Sequence, residues 1–425
     1  MAHLTSRSGY RLLEKRLNLF PQGTTPSELL DRIFALLFSD EEARRMAQLP
    51  LRPFSAARAA RAWKIGLSEA EGLLDRLASR MLLIDMEVKG ERLFVLPPPM
   101  VGFFEFALMR VRGDLDQKLL SELYFQYIDV EDDFIRNLFL GGDTQIGRML
   151  VRESALAAEQ SLHVLDYERA GAILRDATHI GVGLCYCRHK KQHLGSACAA
   201  PLEICLSLNR AANSLIRHGY ARRVEAAEGL ELLHRAQEAK LVQFAENVRE
   251  DVNFICNCCA CCCDALGAAR RFAPLHPIHT SNFIAAVGEE HCKGCGRCVA
   301  ACPVDAITLA TAQADGFGRK TARVDTSRCL GCGLCPSSCP FAALRLDRRP
   351  RRVITPVNAA HRIVLMAIER GTLQHLIFDN QVLFSHRALA ALLGAILKLP
   401  PVKRLLAGEE MRSKYLGALC RRWDG

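Results

Sequence analysis

CKGCGRCVAACPVDAITL at 292–309 and CLGCGLCPSSCPFAALRL at 329–346 are two copies of one motif, C-x2-C-x2-C-x3-C-P. Two equal sets of cysteines, each closed by a proline (Pro303, Pro340), mark an internal repeat whose halves share one plan. Glycines at 294, 296, 331 and 333 let each loop reach positive φ and turn backbone N–H groups toward bound sulfur. Residues 306–309 and 342–346 are short apolar runs, expected as strands that close each half. Pro336 stands where the first copy has Val299; proline is tolerated in a helix's first turn, so the loop is expected to keep its shape. The long connection 310–322 reads as an extended hairpin.

At these residues the chain resembles the bacterial-type ferredoxins that carry two [4Fe-4S] clusters. In that family three cysteines wrap one cluster in a tight loop and the fourth crosses to the other cluster. The resemblance implies Cys292, Cys295 and Cys298 with Cys339 at the first cluster, and Cys329, Cys332 and Cys335 with Cys302 at the second. Zinc also binds C-x2-C pairs, but two complete sets of four, each with its proline, favour iron–sulfur ligation.

Outward from the repeat, the 19 cysteines are confined to one part of the chain: none precedes Cys185, and all but Cys420 lie between Cys185 and Cys339. In a chain expected in the reducing cytoplasm, such usage reads as metal chemistry before disulfides. CYCRHKKQHLGSACAAPLEICLSL at 185–208 holds Cys185, Cys187, Cys198 and Cys205, enough thiolates for one complete metal site. Arg188, His189, Lys190, Lys191 and His193 between them would lower thiol pKa values and balance cluster charge. ICNCCACCCD then packs Cys256, Cys258, Cys259, Cys261, Cys262 and Cys263 into one run. Neighbouring residues cannot all face one cubane, so three or four of these are expected to bind metal. Alone, the run fits a zinc or copper–thiolate knot. One shared further [4Fe-4S] centre and two separate ones both remain open. The succession C-Y-C-R, A-P-L-E-I-C, I-C-N-C-C-A-C-C-C, S-N-F and then the repeat resembles a group of long ferredoxin-domain proteins of anaerobic bacteria. That resemblance covers residues 181–346, more loosely both flanks, and implies electron transfer with a redox partner it does not name.

The flanks read as scaffolding. Residues 27–38 are apolar at helical spacing and 41–48 continue as a second helix; 55–64 and 68–80 form a helix-turn-helix pair; 82–87 and 92–96 flank Lys89-Gly90 as a hairpin. This order resembles a winged helix, whose functional meaning would be DNA binding. Its charges oppose that. The second helix holds Glu69, Glu71 and Asp75 against Arg76 and Arg80, and the hairpin holds Asp85, Glu87 and Glu91 against Lys89 and Arg92. Pro97, Pro98 and Pro99 act as a stiff linker, 101–174 read as helices with an aromatic core, and 206–247 read as helices joining the two cysteine regions. Beyond the repeat come a basic run, Arg345 to Arg352, and a helical tail expected to cover the cluster domain. Cys420 is expected to be a structural thiol.

The expected fold is therefore multidomain α+β: a winged-helix-like domain (1–96), a helical segment (101–180), a cysteine-rich helical domain (181–280), a ferredoxin domain (281–347) and C-terminal helices (353–425). A chain of 425 residues that is 50% hydrophobic and 24% charged has material for several cores and no bias toward disorder. No apolar run reaches the ~18 residues of a membrane span, and charges at Arg11, Glu14, Lys15 and Arg16 stand where an export signal needs its apolar segment. A formal charge of +10 would suggest a polyanionic partner, but clusters held by four thiolates carry about −2 each and offset much of it. No flavin or nicotinamide fingerprint is present. The expected function is an iron–sulfur electron-transfer protein or subunit serving a partner oxidoreductase. The alternatives are a redox-sensing transcription regulator and an enzyme with an open iron site.

Overall fold

In the computed structural model the described residues are 8–275, 277–311, 320–353, 355–378 and 384–397. Cys420 and His276 lie outside them.

The N-terminal part opens with three short helices, Gly9–Leu17, Glu28–Leu37 and Asp40–Met46. Each is started by a serine side chain (Ser8, Ser27, Ser39) that accepts a first-turn backbone N–H. The pair Ala56–Trp63 and Leu67–Ser79 follows, turning at Lys64, whose left-handed backbone ends the first helix. The hairpin Ile84–Val88 with Glu91–Val95 turns at Lys89 and Gly90, both at positive φ, as a two-residue primed turn requires. A third short strand, Phe54–Ser55, pairs with its outer side.

The hairpin is not free. Asp85 is fully buried and meets Ser214 Oγ at 2.7 Å, Arg217 at 2.6 Å, His218 at 3.1 Å and Arg92 at 2.8 Å. Asp85, read from sequence as a surface acid, is instead the tie between the hairpin and helix Asn209–Arg217.

The middle of the chain corrects the helical expectation. Residues 101–140 do fold around an aromatic core, with Phe104 against Tyr124 at 4.8 Å and Tyr127 stacked on Phe134 at 5.0 Å. Beyond them stands a six-stranded antiparallel sheet. Its order is Gly147–Met149, Val242–Glu246, Phe254–Cys258, Glu203–Leu208, Ile180–Leu184, Arg222–Arg223. The stretch read as helices alone, 206–247, contains two helices, Asn209–Arg217 and Ala226–Glu238, set between strands. The physical reason is burial: Val242–Glu246 is buried at every position, so it lacks the alternation that marks a half-exposed strand. Helices Ala170–Asp176 and Ala226–Glu238 pack with Ile180, Val182, Ile204, Leu206 and Ile255 on one face. Each fully buried side chain of this kind contributes about 1.5–3 kcal/mol.

In the repeat region, Phe283–Val287 pairs with Leu344–Arg348 and Ile307–Thr311 with Lys320–Val324, both antiparallel. Helices Arg297–Ala301 and Leu334–Ser337 begin after Gly296 and Gly333, which are at positive φ. Pro336 falls in the first turn of the second helix, as expected.

The C-terminal helices Ala359–Glu369 and Leu373–Ile377 do not cap the repeat. They pack against residues 138–144 and the edge of the six-stranded sheet: Arg362 pairs with Glu246 at 2.8 Å, Arg370 bonds the Leu138 carbonyl, and Thr144 bonds Glu369. With both Arg362 and Glu246 buried, moving the helix away would leave a buried charge unpaired. No helix among the described residues is long and apolar enough to cross a membrane.

Candidate metal centres

The two loops of the repeat each enclose a small cavity. One is lined by Cys292, Cys295, Cys298 and Cys339, the other by Cys302, Cys329, Cys332 and Cys335. Each cavity thus gathers three cysteines of one loop and the last cysteine of the other. The loops hold this shape because no side chain could replace the glycines: a Cβ on Gly331 would stand 2.0 Å from the Phe283 carbonyl, and one on Gly294 would stand 2.3 Å from that of Lys320. Backbone N–H groups already point at sulfur, Ala306 to Cys302 at 3.2 Å and Ala322 to Cys292 at 3.4 Å. Burial pushes the Cys332 thiol up to about 12 and Cys335 higher still, so the apolar pocket disfavours bare thiolates and suits thiolates neutralised by metal. All-sulfur donors at the walls of a dry pocket fit an iron–sulfur cluster. The cavity containing Cys295 reaches the surface, where Cys295 is exposed. The other is turned inward, with the Arg152 N–H on the Cys332 carbonyl and Arg349 on that of Cys329. Arg349, read as part of a basic linker, is thus a support of the second loop.

The upstream cysteines regroup in a way the sequence does not display. Six thiols adjoin one another in a closed ring, each interacting with two neighbours: Cys185, Cys187, Cys263, Cys258, Cys256, Cys205 and back to Cys185. The Cys263–Cys258 contact is 3.4 Å. Strand alternation explains half of the ring. Cys256 and Cys258 lie two apart on one strand and so share a face. Leu206 pairs with Ile255, which sets Cys205 beside Cys256 on that same face. Cys185 and Cys187 come from the irregular end of Ile180–Leu184 and the start of helix Tyr186–His193; Cys263 caps helix Asp264–Arg271.

Two buried cations flank the ring. Arg188 donates to the Pro201 and Asn257 carbonyls and lies beside Cys259, and Lys190 is paired with Asp264 at 2.7 Å. Both would balance thiolate charge, and Tyr186 donates to the same Asp264. Hydrogen bonds from Cys205 and Cys258 bring the Cys256 thiol down to about 5; those from Cys187 and Cys258 bring Cys263 to about 6. His189 bonds the Leu108 carbonyl and His193, and Lys191 lies over Phe125, so neither histidine nor Lys191 joins the ring.

Cys198, Cys259, Cys261 and Cys262 form a separate quartet, with all four Sγ atoms within 4.8 Å of one another. The grouping of Cys185, Cys187, Cys198 and Cys205 as one site is therefore corrected: Cys198 leaves that set and Cys256, Cys258 and Cys263 enter it. Cys198 sits in the loop between a helix and a strand, where no periodicity announces a side chain's direction.

Helix Asp264–Arg271 connects the ring to the repeat. Its first end carries Cys263, and near its last end Arg270 bonds the Pro303 carbonyl, next to Cys302, and pairs with Asp305 at 3.1 Å. Eight residues of helix span ~12 Å.

Residues 291–343 match the family model of the 4Fe-4S dicluster domain, so the chain carries a ferredoxin-type 4Fe-4S domain. No curated protein and no solved structure matches the chain.

Proposed function

We propose that this chain, with its ferredoxin-type domain, is an electron-transfer protein or subunit that carries single electrons between the six-cysteine ring and a partner oxidoreductase. The two cavities of the repeat would each hold a [4Fe-4S] cluster on the four cysteines that line it, and the ring would hold a further iron–sulfur centre. Each such cluster, when bound, takes up and gives back one electron. The observation that supports the reading is helix Asp264–Arg271, which begins at Cys263 of the ring and ends with Arg270 bonded to the Pro303 carbonyl beside Cys302.

The chain's own residues set the order of the route. The ring is interior, the Cys302 cavity lies beside it through Arg270 and Pro303, and the Cys295 cavity opens to solvent. The N–H groups of Ala306 and Ala322 stabilise negative charge on sulfur, which favours the reduced state. Arg188 and Lys190 do the same for the ring. Around the exposed Cys295 stand exposed Lys293 and Arg297 and the 44% exposed Phe341, an apolar and basic rim suited to an acidic partner surface.

An anaerobic reductive titration followed in the visible spectrum tests the proposal. Dithionite should bleach the cluster absorption, and addition of an oxidised viologen dye should restore it with as many electrons returned as were taken. Irreversible bleaching, or reduction without transfer to the dye, would count against an electron carrier.

A further inference from the structure

The quartet at Cys198, Cys259, Cys261 and Cys262 stands apart from every iron–sulfur assignment above. We propose that it binds one zinc ion as a closed tetrahedral tetrathiolate site.

The sulfur spacing supports a single ion. Cys198 and Cys259 are 3.6 Å apart, Cys261 and Cys262 3.6 Å, and Cys262 and Cys198 3.9 Å. Zinc–thiolate bonds of about 2.3 Å in a tetrahedron set sulfur–sulfur edges of about 3.8 Å. A cubane's thiolates attach to the outer corners of a wider core and stand roughly 6 Å apart. Among the described residues, no further group of three or more cysteine, histidine or carboxylate ligands is this tight, the cavity-lining sets of the repeat included. The quartet is therefore built on a different scale from the cysteine sets of the repeat; in the ring, Cys258 and Cys263 at 3.4 Å stand too close to be two corners of one cubane, so a cluster there would use at most one of that pair.

The ligand set selects the metal. Four thiolates leave no open coordination position, the pattern of structural rather than catalytic zinc. Where both ions are present, a divalent thiolate site prefers zinc to ferrous iron. Four thiolates and one Zn2+ leave a charge of −2, and the buried Arg188 guanidinium beside Cys259 offsets part of it.

Position gives the ion its role. Cys259, Cys261 and Cys262 lie in the turn between ring ligands Cys258 and Cys263, and the Cys263 N–H bonds the Cys259 carbonyl. Cys198 comes from the loop ahead of strand Glu203–Leu208, which carries ring ligand Cys205. One ion would clamp that loop to that turn and so fix the separation of three ring ligands.

The test is metal analysis of the full chain, purified anaerobically from medium containing both iron and zinc, for the wild type and a Cys198→Ser/Cys261→Ser variant. Expected are about one zinc per wild-type chain and its loss in the variant. Because the variant could misfold, zinc-edge X-ray absorption on the wild type is the second arm, with four sulfurs expected at about 2.3 Å. A variant that loses about four iron and four sulfide, from a wild type that holds no zinc, would overturn the proposal in favour of a cubane at the quartet. So would a wild-type chain without zinc, one iron in excess of sulfide that disappears in the variant, or a zinc edge with nitrogen or oxygen neighbours. Zinc and iron are counted separately, so failure here is distinct from failure of the electron-transfer reading.

Discussion

At Asp85 four donors converge on one carboxylate. Burial alone would raise its pKa, but bonds from His218, Ser214, Arg92 and Arg217 overcome that and hold it well below the usual 3.8. A depressed carboxylate contributes its stability in full above the unfolded value and loses it as pH falls further. Stability should therefore drop below about pH 4 in the wild type, and Asp85→Asn should flatten that acid limb while costing roughly 2–3 kcal/mol at neutral pH, discounted because Arg92 and Arg217 are partly exposed. Denaturant melts from pH 3 to 7 check both. Gly331 makes a second case. It combines positive φ with a backbone carbonyl where a Cβ would go, whereas Gly90 at the hairpin turn has nothing within 4 Å. Gly331→Ala should lower iron by about four per chain, and Gly90→Ala should cost only about 1 kcal/mol and no iron. The three cysteines that each loop of the repeat brings to one cavity were legible from sequence because spacing within one short loop is local, and the crossing fourth came from the resemblance. The partners of Asp85 were not, because Ser214, Arg217 and His218 lie far along the chain.

Among the elements, the helices near 27–38 and 41–48 and the hairpin with its Lys89-Gly90 turn were legible, since both signals are carried by a few adjacent residues. The six-stranded sheet was not: Val242–Glu246 is buried at every position yet carries Gln243 and Glu246, so neither a clean alternation nor an apolar run announces it. The same element scale decides the hairpin's use. One side of it is committed to helix Asn209–Arg217, Arg92 is occupied by Asp75 and Asp85, and Arg80 by Glu42. The remaining charges of the helix and the turn are mostly acidic. Duplex DNA titrated by fluorescence anisotropy at 50 and 200 mM salt should show no tight binding; submicromolar affinity with a steep salt slope would revive the regulator reading. The loop around Cys295 carries the opposite sign. Lys293→Glu/Arg297→Glu should slow oxidation of the reduced chain by anionic ferricyanide several-fold and speed that by cationic hexaamminecobalt(III), measured by stopped flow.

At the scale of the whole molecule, the cysteine count announced more metal than the repeat can hold, but the partition of the upstream ten could not be read along the chain. It depends on sheet register, which sets Cys205 beside Cys256, and on a loop that carries Cys198 away from its sequence neighbours. Six cysteines thereby enter one interior ring, joined by a single short helix to the inward-facing half of the ferredoxin-type domain. If the ring holds a cluster, the molecule is a route from an interior centre to an exposed one; if it does not, only the repeat carries electrons. Iron and acid-labile sulfide per chain, determined on anaerobically purified protein, distinguish the two most directly. A route that includes the ring predicts about twelve of each, and about eight of each would contradict it by confining the iron to the repeat.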